Sequence, residues 1–430
     1  FRRVLFRSVS IIGCGSRGCD AYGKLFHEQK ERFQIVSLCE LREERLARFG
    51  REYEVSQENL FTDENLFFQK RRSDALVIAT QDKDHVRMCL RAMELGYTVL
   101  LEKPITPDKQ ELKKLLEVKK RYNGRVLVCH VLRYAPAFVK VKELLKSGAI
   151  GRLVLIEAIE QVSFWHQAHS YVRGNWRREE TTSPMILAKC CHDLDLLQYY
   201  AASETETVYS VGDLTYFTAE NKPEGAAARC ADCKYIDTCP YSAEYVYIKR
   251  WKECGCPKDD WPFNIIAPAP NTEENLREAY SKGPYGGCVF ACDNDVVDHQ
   301  TVSIRFRNNV KAQLIMTAFT YDSGRRMYFH GTDGEIKLDE AKDTLLVERF
   351  GQPIQEFKIS DIVTETMKDS FGHGGGDYGT VDAFYELLCG QDKTETSLEK
   401  SAESHFISYA AEESRKKGAA VHMSEFRTIR

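Results

Sequence analysis

Short, mostly apolar runs recur along the first third of the chain, and an amphipathic stretch separates most of them. Val9 to Ile12 (VSII), Phe33 to Cys39 (FQIVSLC), Asp74 to Thr80 (DALVIAT), Tyr97 to Leu101 (YTVLL) and Val126 to His130 (VLVCH) are the runs, with a shorter one at Leu60-Phe61. Between them, Cys19 to Glu31, Glu43 to Glu52, His85 to Leu95 and Pro107 to Tyr122 carry apolar residues at helical spacing. Strands buried on both faces read as continuous apolar runs. Their alternation with helices predicts a parallel sheet covered on both sides. Beyond about residue 132 the pattern changes. Leu155 to Phe164, Thr207 to Phe217, Thr301 to Phe306, Lys311 to Thr320 and Arg326 to His330 predict strands, with turns at Asn308-Asn309 and Thr332-Asp333-Gly334. The chain therefore divides into residues 9–131 and 132–411, with an insert at about 219–292. The first eight residues, FRRVLFRS, resemble a translated sequencing adapter, so natural sequence is expected from about Val9.

The first strand runs into Gly13-Cys14-Gly15-Ser16-Arg17-Gly18 and then a helix. Glycines in that context permit a tight turn and let a pyrophosphate approach backbone N–H groups at a helix N-terminus. Gly13, Gly15, Ser16, Arg17 and Gly18 are thus candidate dinucleotide contacts. Glu40 ends the second strand, where a carboxylate accepts hydrogen bonds from a ribose 2′-hydroxyl and repels a 2′-phosphate. NAD is favoured over NADP, although Arg42 and Arg45 lie close enough in sequence to serve a phosphate.

Three further motifs follow in order: Ala79-Thr80-Gln81-Asp82 with His85, Glu102-Lys103-Pro104 after the fifth run, and Cys191-His192-Asp193-Leu194-Asp195. Together with the glycine loop they make the chain resemble the glucose–fructose oxidoreductase / inositol dehydrogenase / MocA (Gfo/Idh/MocA) family over roughly residues 9–345. The resemblance implies an α/β protein: an N-terminal Rossmann domain, then a C-terminal α+β domain built on a large, open, mostly antiparallel sheet. One sheet face would pack on the first domain, and the other often joins copies into a homodimer or homotetramer. It also implies reversible oxidation of a secondary alcohol of a sugar or cyclitol, with Thr80, Gln81, His85, Glu102 and Lys103 beside the cofactor.

Taking a hydride from a carbinol requires a group to take the hydroxyl proton. Lys103 and His192 are the candidates. Lys103 stands at a strand's C-terminal end, where open α/β sheets place ligands. His192 titrates near neutrality, and Asp195, three residues on, shares its helix face and can orient the ring or bind substrate. Inositol-dehydrogenase-like members carry an aspartate four residues before this histidine; here that position is Ala188, with Lys189 next to it as a replacement cation or donor. Arg133-Tyr134, His166, Arg173, Asn175 and Trp176 suit a polyol pocket of hydrogen-bonding groups and an apolar platform. His373-Gly374-Gly375-Gly376-Asp377 suits a closing loop or a helix cap. An NAD-dependent glycosidase working by transient C3 oxidation and elimination is the rival reading, and a non-catalytic NAD-bound sensor is a third.

Composition narrows the rest. The 430 residues carry a formal net charge of −4, which disfavours a nucleic-acid partner. No long apolar run predicts a membrane span. Fifteen cysteines, an odd number, do not form a secreted disulfide framework, so a reducing cytoplasm is expected. Cys230-x2-Cys233-x5-Cys239 has spacing suited to a structural zinc that would staple an insert lacking its own core, with iron–sulfur ligation or free thiols as alternatives. The charged tail from Glu412 is expected to be a solvated end.

Overall fold

The computed structural model describes residues 6–364, 367, 373–391 and 394–427. Six parallel strands build the first sheet: β1 (Arg7–Ile12), β2 (Phe33–Cys39), β3 (Leu60–Phe61), β4 (Ala75–Ile78), β5 (Thr98–Leu101) and β6 (Arg125–Val128). Their order, β3-β2-β1-β4-β5-β6, reverses direction of growth at β1, and ligands bind outside the carboxyl ends at such a switch point. β4 and β5 are buried at every position, as their unbroken apolar runs require. β1 starts at Arg7 rather than Val9: Ser8 donates from both its N–H and its hydroxyl to Asp74.

Nine strands form the second sheet. In chain order they are β7 (Leu153–Gln161), β8 (Thr205–Asp213), β9 (His299–Phe306), β10 (Lys311–Thr317), β11 (Gly324–Gly331), β12 (Gly334–Asp339), β13 (Thr344–Arg349), β14 (Gln355–Lys358) and β15 (Val421–His422). The spatial order is β14-β13-β12-β11-β7-β10-β9-β8-β15, and every pair is antiparallel except β7 with β10. Strands such as β9 alternate buried and exposed positions, because one face meets the core and the other is open.

Two expectations fail. Among the described residues, the tail from Glu412 is anchored by buried side chains, although 416–420 are exposed as expected. Glu412 lies in the helix Leu398–Lys417 and is buried against Arg415; beyond that helix, Met423 and Phe426 are buried in the main core. The insert has its own apolar core of Val246, Tyr247, Ile248, Trp251, Phe263, Leu276 and Tyr280. Tyr245–Lys249 and Glu273–Lys282 are helical and present apolar residues to one another, so no metal is needed to hold them.

One helix is placed far from its sequence neighbours. Gly376–Leu388 lays Val381, Phe384, Leu387 and Leu388 against Phe26, Phe33 and Leu127 of the first domain. The cofactor-side core is thus completed by residues from the far end of the chain.

Candidate active site

The glycine loop shows why two of its three glycines cannot carry side chains. Gly13 has φ +89°, and a Cβ there would sit 2.4 Å from the Ala79 carbonyl oxygen. At Gly18 a Cβ would fall 1.9 Å from the Gly13 carbonyl oxygen. A Cβ at Gly15 meets only Arg45 Nη1 at 3.8 Å, so the space above that residue is open. That is the place a pyrophosphate needs for close backbone approach. Glu40 accepts from the Cys14 and Arg42 N–H groups, each at 2.9 Å, which fixes its carboxylate at the end of β2.

Arg17 is a strut between elements. Its Nε donates to Glu102 at 2.8 Å, and its Nη1 and Nη2 grip both oxygens of Asp377 at 3.1 and 2.6 Å. Burial works to raise the Glu102 pKa, but Arg17 and Lys103 outweigh it and hold the carboxyl below its usual range. Glu102 in turn accepts from the Lys103 N–H at 2.8 Å, tying the loop after β5 to the glycine loop. His85 joins two other loops: Nδ1 lies 2.7 Å from the Pro104 carbonyl oxygen and Nε2 lies 3.2 Å from that of Thr80. Thr80 is half-buried and Gln81 exposed at the mouth beside them. Asp82 accepts from Ser183 at 2.7 Å, which docks this mouth on the second domain.

From that domain come Met185–Ala188 and the helix Cys191–Ala201. Lys103 Nζ donates to the Ala188 carbonyl at 3.3 Å. His192 is 5% exposed, and neither ring nitrogen has a hydrogen-bond partner among the described residues. Burial, then Lys103, His130 and His373, push its pKa well below the ordinary histidine value. Such a ring is neutral at pH 7 and carries a lone pair with nothing to accept. An unpaired buried polar side chain costs about 1–3 kcal/mol and points to a partner that arrives with the ligand. Burial, then Lys189, His169 and Lys103, likewise push the His166 pKa well below the ordinary histidine value. Trp261 of the insert packs edge-on against His166 with centroids 4.8 Å apart. No sequence signal marked Trp261, because its contacts with Trp165, His166 and His169 follow from tertiary packing alone.

Several candidates have other partners. Asp195 does not orient His192: Arg133 grips it in a fork at 2.6 and 2.7 Å, with both residues under 5% exposed. Arg133 and Asp195 therefore satisfy each other beneath the site. The Tyr134 hydroxyl pairs with Thr396 at 3.0 Å. Lys189 pairs with Glu160 at 3.0 Å, and Arg325 bridges Glu160 at 2.9 Å and Asp193 at 2.8 Å, a buried network that the sequence did not disclose. Arg173 donates to the carbonyls of Gly287 and Tyr241, both at 2.7 Å, and braces the insert instead of a substrate. Trp176 packs on the main core, and Asn175 is exposed.

The zinc expectation is corrected as well. Cys230, Cys233, Cys239 and Cys288 line one cavity of about 270 Å3. Among the described residues, however, no three His, Cys, Asp or Glu side chains gather to hold a metal ion. Arg173 Nη2 lies 3.6 Å from Cys230 Sγ, so a buried guanidinium opposes a cation there. All fifteen cysteines are free thiols. No helix among the described residues is long and apolar enough to cross a membrane.

A dinucleotide cradle at a sheet switch point, with a lysine and a neutral histidine beside it, defines a nicotinamide-dependent oxidoreductase. The chain belongs to the Gfo/Idh/MocA oxidoreductase family: residues 7–130 match its NAD-binding Rossmann fold and residues 142–423 its C-terminal alpha/beta domain. Among curated relatives, it is 23% identical to YteT of Bacillus subtilis, which bears the name of an oxidoreductase, over 90% of this chain and 89% of that one. It is 26% identical to the inositol 2-dehydrogenase of Rubrobacter xylanophilus over 48% of this chain and 55% of that one. Among solved structures, an oxidoreductase from Agrobacterium radiobacter in complex with NAD+, L-tartaric acid and magnesium superposes with a TM-score of 0.70 at 15% identity, covering 98% and 99% of the two chains. The WlbA dehydrogenase from Chromobacterium violaceum, in complex with NADH and UDP-GlcNAcA, gives 0.66 at 13% identity over 98% and 97%.

Proposed function

We propose that this chain reversibly oxidises a secondary alcohol of a sugar or cyclitol, using NAD. The observation that carries the reading is His192, buried with both ring nitrogens unpartnered, beside Lys103 at the carboxyl end of β5. The dinucleotide fits the cradle because only Gly15 leaves open space above the loop, and Glu40 stands where a ribose 2′-hydroxyl would be received. When bound, the cofactor supplies the hydride acceptor. Lys103 donates to the carbinol oxygen, and neutral His192 takes its proton. Glu102 holds Lys103 through its backbone, and Arg17 holds Glu102. The insert, through Trp261, walls the cleft and offers an apolar face to a sugar ring. The curated relatives named for inositol oxidation and the neighbour holding a nucleotide sugar support a polyhydroxylated substrate.

The open face of the second sheet, which carries Tyr209, Val211, Ile159, Ile315 and Tyr328, suits a second copy of the chain. Free thiols throughout suit a reducing compartment.

The test follows absorbance at 340 nm while the protein meets free sugars, cyclitols and aryl glycosides with NAD. A rise that needs NAD and falls about 100-fold or more in His192→Gln and Lys103→Ala, with NAD affinity unchanged in the former, supports the reading. Equal rates in the variants refute it. Release of the aryl group without a rise replaces it with a redox-assisted glycoside elimination.

A further inference from the structure

A second histidine stands across from His192. His373 lies immediately before the helix Gly376–Leu388, and its ring centroid is 5.9 Å from that of His192. The backbone there is left-handed for three residues running, with φ of +52° at His373, +55° at Gly374 and +88° at Gly375. A non-glycine residue in that region is disfavoured and persists where the surroundings enforce it, commonly at functional sites. Here the enforcement is visible. A Cβ at Gly376 would lie 2.5 Å from the Val131 carbonyl oxygen, so the helix start is seated directly on the turn after β6.

His373 is also oriented. Its Nδ1 lies 3.2 Å from Asp377 Oδ2, and Asp377 is 0% exposed. Arg17 donates to both oxygens of that carboxylate, so Asp377 is ionised and can only accept. The imidazole must then carry its hydrogen on Nδ1. Nε2 keeps its lone pair, makes no hydrogen bond among the described residues, and belongs to a half-exposed side chain that a ligand can reach. The sequence showed a histidine and an aspartate four apart at a glycine-rich helix start; the fold brings them to the catalytic histidine from more than 170 residues away in the chain.

We infer that His373 is a second proton-transfer residue of this site, with Asp377 as its positioning residue and Nε2 as the atom that takes the alcohol's proton onward from His192 or returns it. In oxidation the carbinol O–H bond breaks as His192 takes that proton on one ring nitrogen; His192 releases the hydrogen of its other nitrogen, and an N–H bond forms at His373 Nε2, while a bound nicotinamide would accept the hydride as the carbinol carbon becomes a carbonyl. In reduction the relay runs backwards and His192 returns a proton to the oxygen. The inference rests on the proposed oxidoreductase reading for its chemistry, but the orientation of His373 can be read without any activity.

The experiment has two arms on the full chain. In the first, 15N-histidine long-range correlation spectra at pH 7.5 are recorded for the wild type, Asp377→Asn and His373→Asn, the last assigning the signal. The expected result is a single Nδ1–H tautomer for His373 that becomes mixed or inverted in Asp377→Asn. An Nε2–H tautomer or an imidazolium in the wild type overturns the inference whatever the activity. The second arm measures single-turnover reduction of NAD with myo-inositol, D-glucose and L-tartrate. His373→Asn tolerates a left-handed backbone and keeps a donor toward Asp377. It should fall about 100-fold or more in rate, with NAD affinity within twofold of the wild type. Unchanged turnover in His373→Asn overturns the inference. Wild-type rates in Lys103→Ala refute the oxidoreductase reading instead, and if none of the three alcohols reacts, the tautomer alone decides His373.

Discussion

Alanine at Gly15 and alanine at Gly18 should have opposite consequences, although both sit in the same six-residue loop. Gly15 has φ −85° and ψ −167°, an extended conformation open to any residue, and an added Cβ there touches nothing closer than 3.8 Å. Gly15→Ala should therefore leave stability unchanged or raise it by roughly 0.4–1 kcal/mol through the unfolded chain. Gly18→Ala places a methyl 1.9 Å from a backbone oxygen. The helix must retreat from β1, at a cost of about 1–3 kcal/mol or more. For cofactor binding the order is inverted at Gly15, because its methyl stands where the pyrophosphate would meet the backbone. A tenfold loss of NAD affinity, about 1.4 kcal/mol, is the minimum expected. The assay is thermal unfolding of both variants with and without NAD, alongside calorimetric titration. At an NAD concentration of about 100 times the wild-type Kd, the ligand should add roughly 2.7 kcal/mol to the wild type and about half that to Gly15→Ala. The reasoning is refuted if Gly15→Ala binds NAD like the wild type, or if it unfolds as readily as Gly18→Ala.

Three other outcomes are expected. Asp195→Asn strands the buried Arg133 cation and should cost about 3–5 kcal/mol in denaturant unfolding; a loss under 1 kcal/mol would show that the fork does not stabilise the fold. Asp377 is held at about 2 because Arg17 and His373 outweigh its burial, so its folded pKa lies below the unfolded value. Its stabilisation is present above about pH 4 and lost as pH falls toward 2, on the order of 2 kcal/mol, and the pH dependence of unfolding between those values should flatten in Asp377→Asn. Incubation with EDTA should leave the melting temperature unchanged, whereas stoichiometric zinc in elemental analysis of the purified protein would contradict the free-thiol insert.

The cofactor half was legible because local rules suffice there. Apolar runs without alternation, a glycine motif between strand and helix, and an acid at the end of β2 each encode their own environment within a few residues. Lys103 and His192 were legible as motif members. The partners were not. Arg133 and Asp195 are 62 positions apart and Arg17 and Asp377 are 360 apart, so which charge meets which is decided by packing. Arg173 looked like a substrate ligand because it sat in a polar loop, yet its donors cap backbone carbonyls of the insert. The charged tail misled for a related reason: Glu412 and Arg415 neutralise each other, so the helix can be buried despite its composition. Much of the insert's core depended on helical segments of only four or five residues, too short to announce themselves, and Trp261 lies outside them.

The helix Gly376–Leu388 gives the chain an awkward birth. β6 ends at Val128, but the Rossmann core beneath Phe26 and Phe33 stays open until Phe384 and Leu387 arrive. At a synthesis rate of roughly 5–20 residues per second, that is a wait on the order of tens of seconds. During that interval the nascent first domain exposes an apolar groove that only the end of the same chain can fill. A nascent chain that stalls before residue 376 would therefore offer that groove to chaperones or to its neighbours on the polysome, and the half that looks most independent in the sequence would be the last to become so.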